Sequence, residues 1–167
     1  MLGPRLGRES LAALALLVLI GCATTSDSVQ RALEGPRAEE IWMSRFARSY
    51  GRVPSFSETS AWKDALDARV ADYLNRNPDI LTSPRASQFR FQRRAFAGMS
   101  KEEVLLLLEA PEAISADAAV MSAAARQFWP EIRLRAKEIW LYPSGWQLYF
   151  SDDRLVDLTV GGRPPIE

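Results

Sequence analysis

The period of the hydrophobic pattern changes once along this chain, near Leu134, and that change limits the possible folds more than any other feature. Before it, apolar residues recur at helical spacing, as Ile41, Trp42 and Phe46 do. After it, apolar and polar residues alternate up to residue 160, which is typical of strands. Helices followed by a run of short strands predict an α+β protein.

Three helices are expected in the first half of the chain. The spacing of apolar residues predicts one helix over residues 37–50 and a second over residues 58–75, which Pro78 closes. Ser83-Pro84 has the form of an N-cap followed by a first-turn proline, so a third helix should run from there toward Arg94. Together they make a helical segment over residues 37–95.

The clearest helix start in the chain is at Ser100. Ser100 and Glu103 have the spacing of a capping box, in which each side chain binds a backbone amide near the other. The helix should stop at Pro111. The alanine-rich stretch that follows, within residues 112–131, is either a short helix capped by Ser115 or a disordered loop.

The last part of the chain predicts three strands. They cover residues 134–142, 146–151 and 155–160, and both connections between them are short, which favours an antiparallel meander. We therefore expect helices packed on one face of a three-stranded antiparallel β-meander, with the identity of the covered face left open. The residues expected at that interface are Trp140, Trp146, Leu148 and Phe150.

Two counts exclude much of the chemistry that a chain of this size can perform. The sequence has no histidine and a single cysteine, which removes Ser-His-Asp and Cys-His catalysis, histidine-ligated zinc and intrachain disulfides. Its 21 basic residues balance 21 acidic ones, so it lacks the positive excess of a nucleic-acid-binding protein. We expect no enzymatic activity, no cofactor, no metal site and no nucleic-acid partner.

The single cysteine, Cys22, follows a segment typical of a bacterial export signal. Two arginines precede an apolar run over residues 11–20, shorter than the roughly 20 residues that a membrane-spanning helix needs. The sequence Leu19-Ile20-Gly21-Cys22 resembles the lipobox, where a lipoprotein signal peptidase cuts before a lipidated cysteine. This predicts a signal peptide over residues 1–21 and lipidation of Cys22. The alternative is a free thiol or a small buried residue behind an ordinary cleaved signal.

Lipidation would decide where the protein resides. Bacterial lipoproteins carry two or three acyl chains, and that number makes attachment to a membrane effectively permanent. In the sorting rule that this resemblance implies, an aspartate after the cysteine favours the inner membrane, and Ala23 stands there instead. We expect a lipid anchor in the outer membrane, the protein on its periplasmic face, and a flexible tether over residues 22–36.

The order of motifs in the second half of the chain carries a family resemblance. Gly-Met-Ser-x-x-Glu-Val at residues 98–104 is followed by Leu-x-x-Pro at 108–111 and by Trp-x-Tyr at 140–142. These motifs resemble those of the SmpA/OmlA family of small outer-membrane lipoproteins, which have the BamE-like fold. Glu109 departs from the pattern, because the family has glycine there. A side chain in a left-handed conformation at this position would cost about 1 kcal/mol.

The resemblance implies a BamE-like α+β domain over residues 96–167 and a role in outer-membrane assembly or envelope integrity. The function we expect is that of a lipid-anchored, periplasmic, non-catalytic interaction module. Its partners would be membrane lipid, through acylated Cys22, and an envelope protein. The alternative is a ligand- or inhibitor-type binding lipoprotein on the same fold.

Two groups of charged residues are candidates for a site. The first is a run of arginines interleaved with phenylalanines, which could contact an acidic partner or anionic headgroups, or could be a solvated helix face: Arg85, Arg90, Arg93 and Arg94. The second is Asp152-Asp153, since two carboxylates can divide acid and base roles. Because this pair falls between two predicted strands, we expect it to form a turn.

Overall fold

The computed structural model describes residues 28–162. The predicted signal peptide over residues 1–21 and the predicted lipidation site at Cys22 therefore lie outside the described residues, as do residues 163–167. The described part combines helices with an antiparallel sheet, which confirms the α+β class. No helix in this part of the chain is long and apolar enough to cross a membrane.

Helices make up most of the chain before the sheet. Within the described residues they are α1 (Ala38–Tyr50), α2 (Phe56–Arg76), α3 (Pro78–Leu81), α4 (Arg85–Ser87), α5 (Lys101–Leu108), α6 (Ala118–Ala125) and α7 (Trp129–Ile132). A π-helical turn over Gln88–Gln92 continues α4. The first two helices confirm their predictions closely. The third predicted helix is shorter than expected, because the π-helical turn leads directly into a strand.

Capping by side chains sets where α5 and α6 begin. Ser100 and Glu103 form the predicted capping box at α5, with hydrogen bonds in both directions. α6 is a helix rather than a disordered loop, and its N-cap is Asp117, whose carboxylate accepts from Ala119 N at 2.7 Å. The predicted cap, Ser115, lies instead in a short strand.

The main sheet has five antiparallel strands rather than three. The strands between residues 28 and 162 are β1 (Gln30–Arg31), β2 (Glu34–Arg37), β3 (Arg94–Phe96), β4 (Ala113–Ser115), β5 (Glu138–Tyr142), β6 (Trp146–Ser151) and β7 (Arg154–Val160). The sheet has the order β1-β7-β6-β5-β4, and β2 pairs with β3 separately. The predicted meander thus forms its centre as β5, β6 and β7, although β5 begins four residues later than expected because residues 134–137 form a turn and a bend.

Helices cover both faces of this sheet, which corrects the expectation that they cover one. Leu148 and Phe150 pack with α1, α2 and α5 in a larger core, whereas Tyr149 packs with α6 and α7 in a second core. The run of buried residues along β5 and β6 is that of strands enclosed on both sides. The helical segment 37–95 shares the larger core with the strands, so the two predicted parts of the chain are packed together.

The segment before α1 is also packed on the fold, where the sequence predicted a flexible tether. β1 pairs with β7, and Arg31 Nε donates to the buried carboxylate of Asp157 at 2.9 Å. Gly35 lies so close to the sheet that a Cβ there would be 2.7 Å from Leu158 Cδ2. The part of the predicted tether that the structure describes is therefore a strand edge.

Glu109, which stands where the SmpA/OmlA pattern has glycine, ends α5 with a positive φ. Its φ is 62° and its ψ is −167°, a region that favours glycine. Tyr142 donates its hydroxyl hydrogen to Glu109 O at 2.8 Å, and Arg45 Nη1 donates to Leu108 O at 2.9 Å. Burial raises the pKa of Tyr142, which keeps this donor protonated.

Candidate functional site

Phe91 is the most prominent apolar side chain near the predicted arginine cluster. It lies in the π-helical turn Gln88–Gln92 and is 81% exposed. Phe89, two residues earlier, is buried against Tyr73 with ring centroids 5.5 Å apart. The turn therefore buries one phenylalanine and presents the next to solvent. π-Helical turns are rare in proteins, and those that occur are often found at functional sites.

Three grooves adjoin Phe91, with volumes of about 270, 260 and 290 Å³. Trp62 forms an apolar wall of the first. The charged residues that line the three grooves come from α1, α2, β2, β3 and the π-helical turn: Arg37, Lys63, Arg90, Arg93, Arg94, Glu34, Glu39 and Asp67. We call these residues, with Trp62 and Phe91, the Phe91 surface.

Each carboxylate of the Phe91 surface already has a cation as its partner. Lys63 Nζ lies 3.1 Å from Glu39 Oε1, and Arg93 Nη2 lies 2.5 Å from Asp67 Oδ1. Arg94 pairs with Glu34 across the β2–β3 ladder.

Two cations of the Phe91 surface remain without a carboxylate. Arg37 and Arg90 make no ion pair with any residue from 28 to 162, and both are exposed. Both also line the first groove, beside Trp62 and Phe91. Of the three grooves, the first is therefore the one that both unpaired cations line, and it also has the aromatic walls.

The structure separates Arg85 from the other predicted arginines. Arg85 Nη2 donates to both carboxylate oxygens of Glu103, at 2.9 and 2.8 Å, and the Glu103 side chain is 2% exposed. Tyr73 donates its hydroxyl hydrogen to the same carboxylate at 3.2 Å. Burial and the neighbouring Glu103 charge raise the pKa of Tyr73 to about 12. Arg85 is thus a structural partner of the α5 cap and not part of the surface.

Sequence reasoning found Arg90, Arg93 and Arg94 and missed two other basic residues of the Phe91 surface. Arg37 directly precedes α1, and Lys63 lies in α2 next to Trp62. Neither position has a local signal. Arg37 reaches this surface because the β2–β3 ladder places it opposite Arg94, and Lys63 reaches it because α2 packs against the π-helical turn.

The acidic pair Asp152-Asp153 forms the predicted turn between β6 and β7. Lys137 Nζ lies 2.9 Å from Asp152 Oδ1, and Lys101 N donates to Asp153 Oδ1 at 3.3 Å. The two carboxylates are therefore engaged by different partners and do not converge. In the part of the chain that the structure describes, no group of acidic or cysteine residues is placed to hold a metal ion.

A further groove, of about 500 Å³, lies between α1 and α2. Trp42 and Trp62 stack in its wall with ring centroids 4.8 Å apart. The guanidinium of Arg52 lies 5.0 Å from the Phe46 ring centroid and pairs with Glu58 at 2.7 Å. Hydrogen bonds from Arg52 and from Ser55, the N-cap of α2, lower the pKa of Glu58 to about 2. Part of the aromatic wall is therefore covered by the protein's own cation.

No family model, curated protein or solved structure matches this chain. The resemblance to the SmpA/OmlA family consequently stays a prediction from the motifs of residues 98–142.

Proposed function

We propose that this protein is a lipid-anchored, non-catalytic interaction module on the periplasmic face of the outer membrane, and that it supports envelope assembly or integrity by binding another envelope protein. The observation that carries the proposal is the groove holding Arg37 and Arg90, two cations without a carboxylate beside an exposed aromatic side chain. Arginine and aromatic residues are the types enriched in the centres of protein–protein interfaces.

The proposed anchor and the Phe91 surface are close along the chain. Six residues lead from Cys22 to Ser28, a span of at most about 21 Å when fully extended. Glu34, on the rim of the Phe91 surface, is twelve residues from Cys22, or at most about 42 Å. A protein attached through Cys22 would hold this surface near the membrane, where envelope partners reside.

Site-specific crosslinking in native membranes tests the partner. A photoreactive amino acid at position 91 should crosslink to an envelope protein, and the adduct should be lost when Arg37→Glu and Arg90→Glu are introduced together. Position 134 is the matched control, because Leu134 is also exposed and also follows an exposed arginine, but lies near α7 on the other side of the sheet. Equal crosslinking from both positions, or none, would refute the proposed role of the surface.

The anchor is tested separately through Cys22. Cys22→Ala should abolish incorporation of labelled fatty acid and move the protein from the membrane to the soluble fraction of the envelope. A Cys22→Ala variant that keeps its label and stays with the membrane would show that the signal segment has been misread.

The alternative function, a ligand-binding lipoprotein, is favoured by one observation, the groove of about 500 Å³ with Trp42 and Trp62 in its wall. A groove of this volume with aromatic walls suits a small apolar ligand. Native mass spectrometry of protein purified from its own membranes should then detect a small-molecule adduct that Trp42→Ala lacks. Wild-type protein that carries no adduct would argue against this alternative.

A further inference from the structure

The charges of the Phe91 surface are arranged so that they specify a partner. We propose that the groove between Arg37 and Arg90 binds an extended acidic segment of a protein, with a carboxylate between the two guanidinium groups and an apolar side chain against Trp62 and Phe91. This inference rests on the proposed function and names the chemistry of the partner at the same surface.

The size of the groove favours a side chain of an extended chain over a free small molecule. Its volume is about 270 Å³, which is below the ~300–1,000 Å³ of sites that enclose drug-sized ligands. Two similar grooves share Phe91 and at least two further lining residues with it. A peptide that passes Phe91 can fill successive grooves with successive side chains.

The two unpaired guanidinium groups of the groove favour a carboxylate as the group that binds there. Arg37 and Arg90 are exposed and unpaired among residues 28–162, so they keep their hydration and lose little internal stabilisation when a partner approaches. Two guanidinium groups beside one groove provide several N–H donors for the two oxygens of one carboxylate. Trp62 and Phe91 then exclude water from one side, which strengthens that pairing.

The neighbouring carboxylates favour a protein segment over an anionic bilayer. The side chains of Glu34 and Asp67 are 59% and 53% exposed, whereas their partners Arg94 and Arg93 are 24% and 26% exposed. A flat anionic surface would therefore meet these two carboxylates, and Glu39 at 43% exposed, together with the two unpaired arginines. Binding to such a surface depends on summed positive charge, at about 1 kcal/mol for each nearby cation. A peptide can instead place its acid at Arg37 and Arg90 and avoid Glu34 and Asp67, which is how charge patterns give specificity.

A second copy of this chain fits the same surface poorly. It would present its own Phe91 surface with the same net positive charge, and like charges would then face each other across the contact.

Selection from a random dodecapeptide library displayed on phage tests the proposal. The target is the full chain with Cys22→Ala, and counter-selection uses the same chain with Arg37→Glu and Arg90→Glu. Peptides rich in Asp or Glu with at least one apolar residue should be recovered, and their affinity should fall about tenfold or more on the double variant. The matched control is Arg133→Glu, an exposed arginine near α7, which should bind like the parent.

Three outcomes would overturn the proposal. The first is that the recovered peptides lack acidic residues. The second is that they bind the double variant as well as the parent. Alternatively, vesicles of phosphatidylethanolamine with about a quarter phosphatidylglycerol would bind the parent and not the double variant, while no acidic peptide is recovered. Because both arginines are exposed and unpaired in the described residues, the thermal unfolding midpoint of the double variant should match that of the parent.

The two proposals fail in distinguishable ways. Acidic peptides that bind in solution, together with no crosslink from position 91 in membranes, would remove the envelope role and leave this inference standing. A crosslink that depends on Arg37 and Arg90, with a partner that contacts them through no acidic residue, would do the reverse.

Discussion

Replacing Arg85 by glutamine should destabilise the fold more than replacing Glu103 by glutamine, although Arg85 is the more exposed of the two. The arginine side chain is 36% exposed and the glutamate side chain 2% exposed. Arg85→Gln leaves the carboxylate of Glu103 buried without its cation. Glu103→Gln leaves a guanidinium that can turn toward water, and glutamine still serves at the third position of a capping box.

The size of the difference follows from these contacts. Removing one partner of a buried ion pair costs about 3–5 kcal/mol, and the partial exposure of Arg85 reduces this to about 2–3 kcal/mol. Glu103 keeps hydrogen bonds from Ser100 N at 2.7 Å and from the Tyr73 hydroxyl at 3.2 Å, so the carboxylate is not left without donors. Glu103→Gln exchanges charged hydrogen bonds for neutral ones and should cost about 1 kcal/mol.

Equilibrium unfolding in urea measures both effects. With a slope near 2 kcal/mol per molar, Arg85→Gln should lower the midpoint by about 1 M and Glu103→Gln by about half of that. Arg76→Gln is the matched control, because Arg76 pairs with Asp72 at 3.1 Å on an exposed face and should cost less than about 0.5 kcal/mol. The reasoning is refuted if Arg85→Gln is no more destabilising than this control, or if Glu103→Gln is the worse of the buried pair.

Three further predictions concern backbone strain and pH. Glu109→Gly should be more stable than Glu109→Ala by about 1 kcal/mol in thermal unfolding, because position 109 has a φ of 62°; equal stabilities would mean that this helix end carries no strain. Because the folded pKa of Glu58 is about 2, below its unfolded value of about 4.3, its pairing stabilises the fold above pH ~4.3 and is lost as the pH falls toward 2. Glu58→Gln should therefore flatten the dependence of the melting temperature on pH in that window, and an unchanged slope would contradict the assignment. Gly161→Ala should destabilise the protein by about 1–3 kcal/mol, since φ is 100° there and a Cβ would collide with Ser28 O. Faster hydrogen exchange of the β1 amides would locate the damage, and unchanged protection of β1 would count against it.

The elements that the sequence predicted correctly are those with a signal inside their own residues. α5 begins at Ser100 because its capping box is local, and β6 alternates between two cores. β1 and β4 have two and three residues, too few for a period to be seen. They are strands only because β7 and β5 offer backbone partners, which no local pattern records.

The enclosure of the sheet on both faces has a local signal in the sequence of β6. Tyr149 is apolar in its ring and fully buried, although the sequence predicted that helices would cover only one face of the sheet. A strand with apolar residues at successive positions is typical of a sheet covered on both sides. The successive apolar residues Leu148, Tyr149 and Phe150 are therefore the local signal for a second covered face.

The candidate site was predictable only where its residues are neighbours in sequence. Arg90, Arg93 and Arg94 follow one another around a single turn, whereas Arg37 is more than fifty residues away. The role of Arg85 depends on the burial of Glu103, which lies on another helix. Which arginines are unpaired is therefore a property of the folded protein and not of the arginine-rich sequence.

If the protein is anchored through a lipid at Cys22, the short strand β1 is the part of the fold that a pulling force reaches first. Any pull along the chain reaches the fold at Ser28. It first loads the hydrogen bond that Gln127 Nε2 donates to Val29 O, and then two ladder positions, Gln30 with Val160 and Arg31 with Thr159. These bonds would break in sequence as far as Gly35, which lies in close contact with the sheet. Residues 28–34 would then lengthen the segment between Cys22 and the fold. The distance between the membrane and the domain would therefore increase under force, with the loss of one short strand.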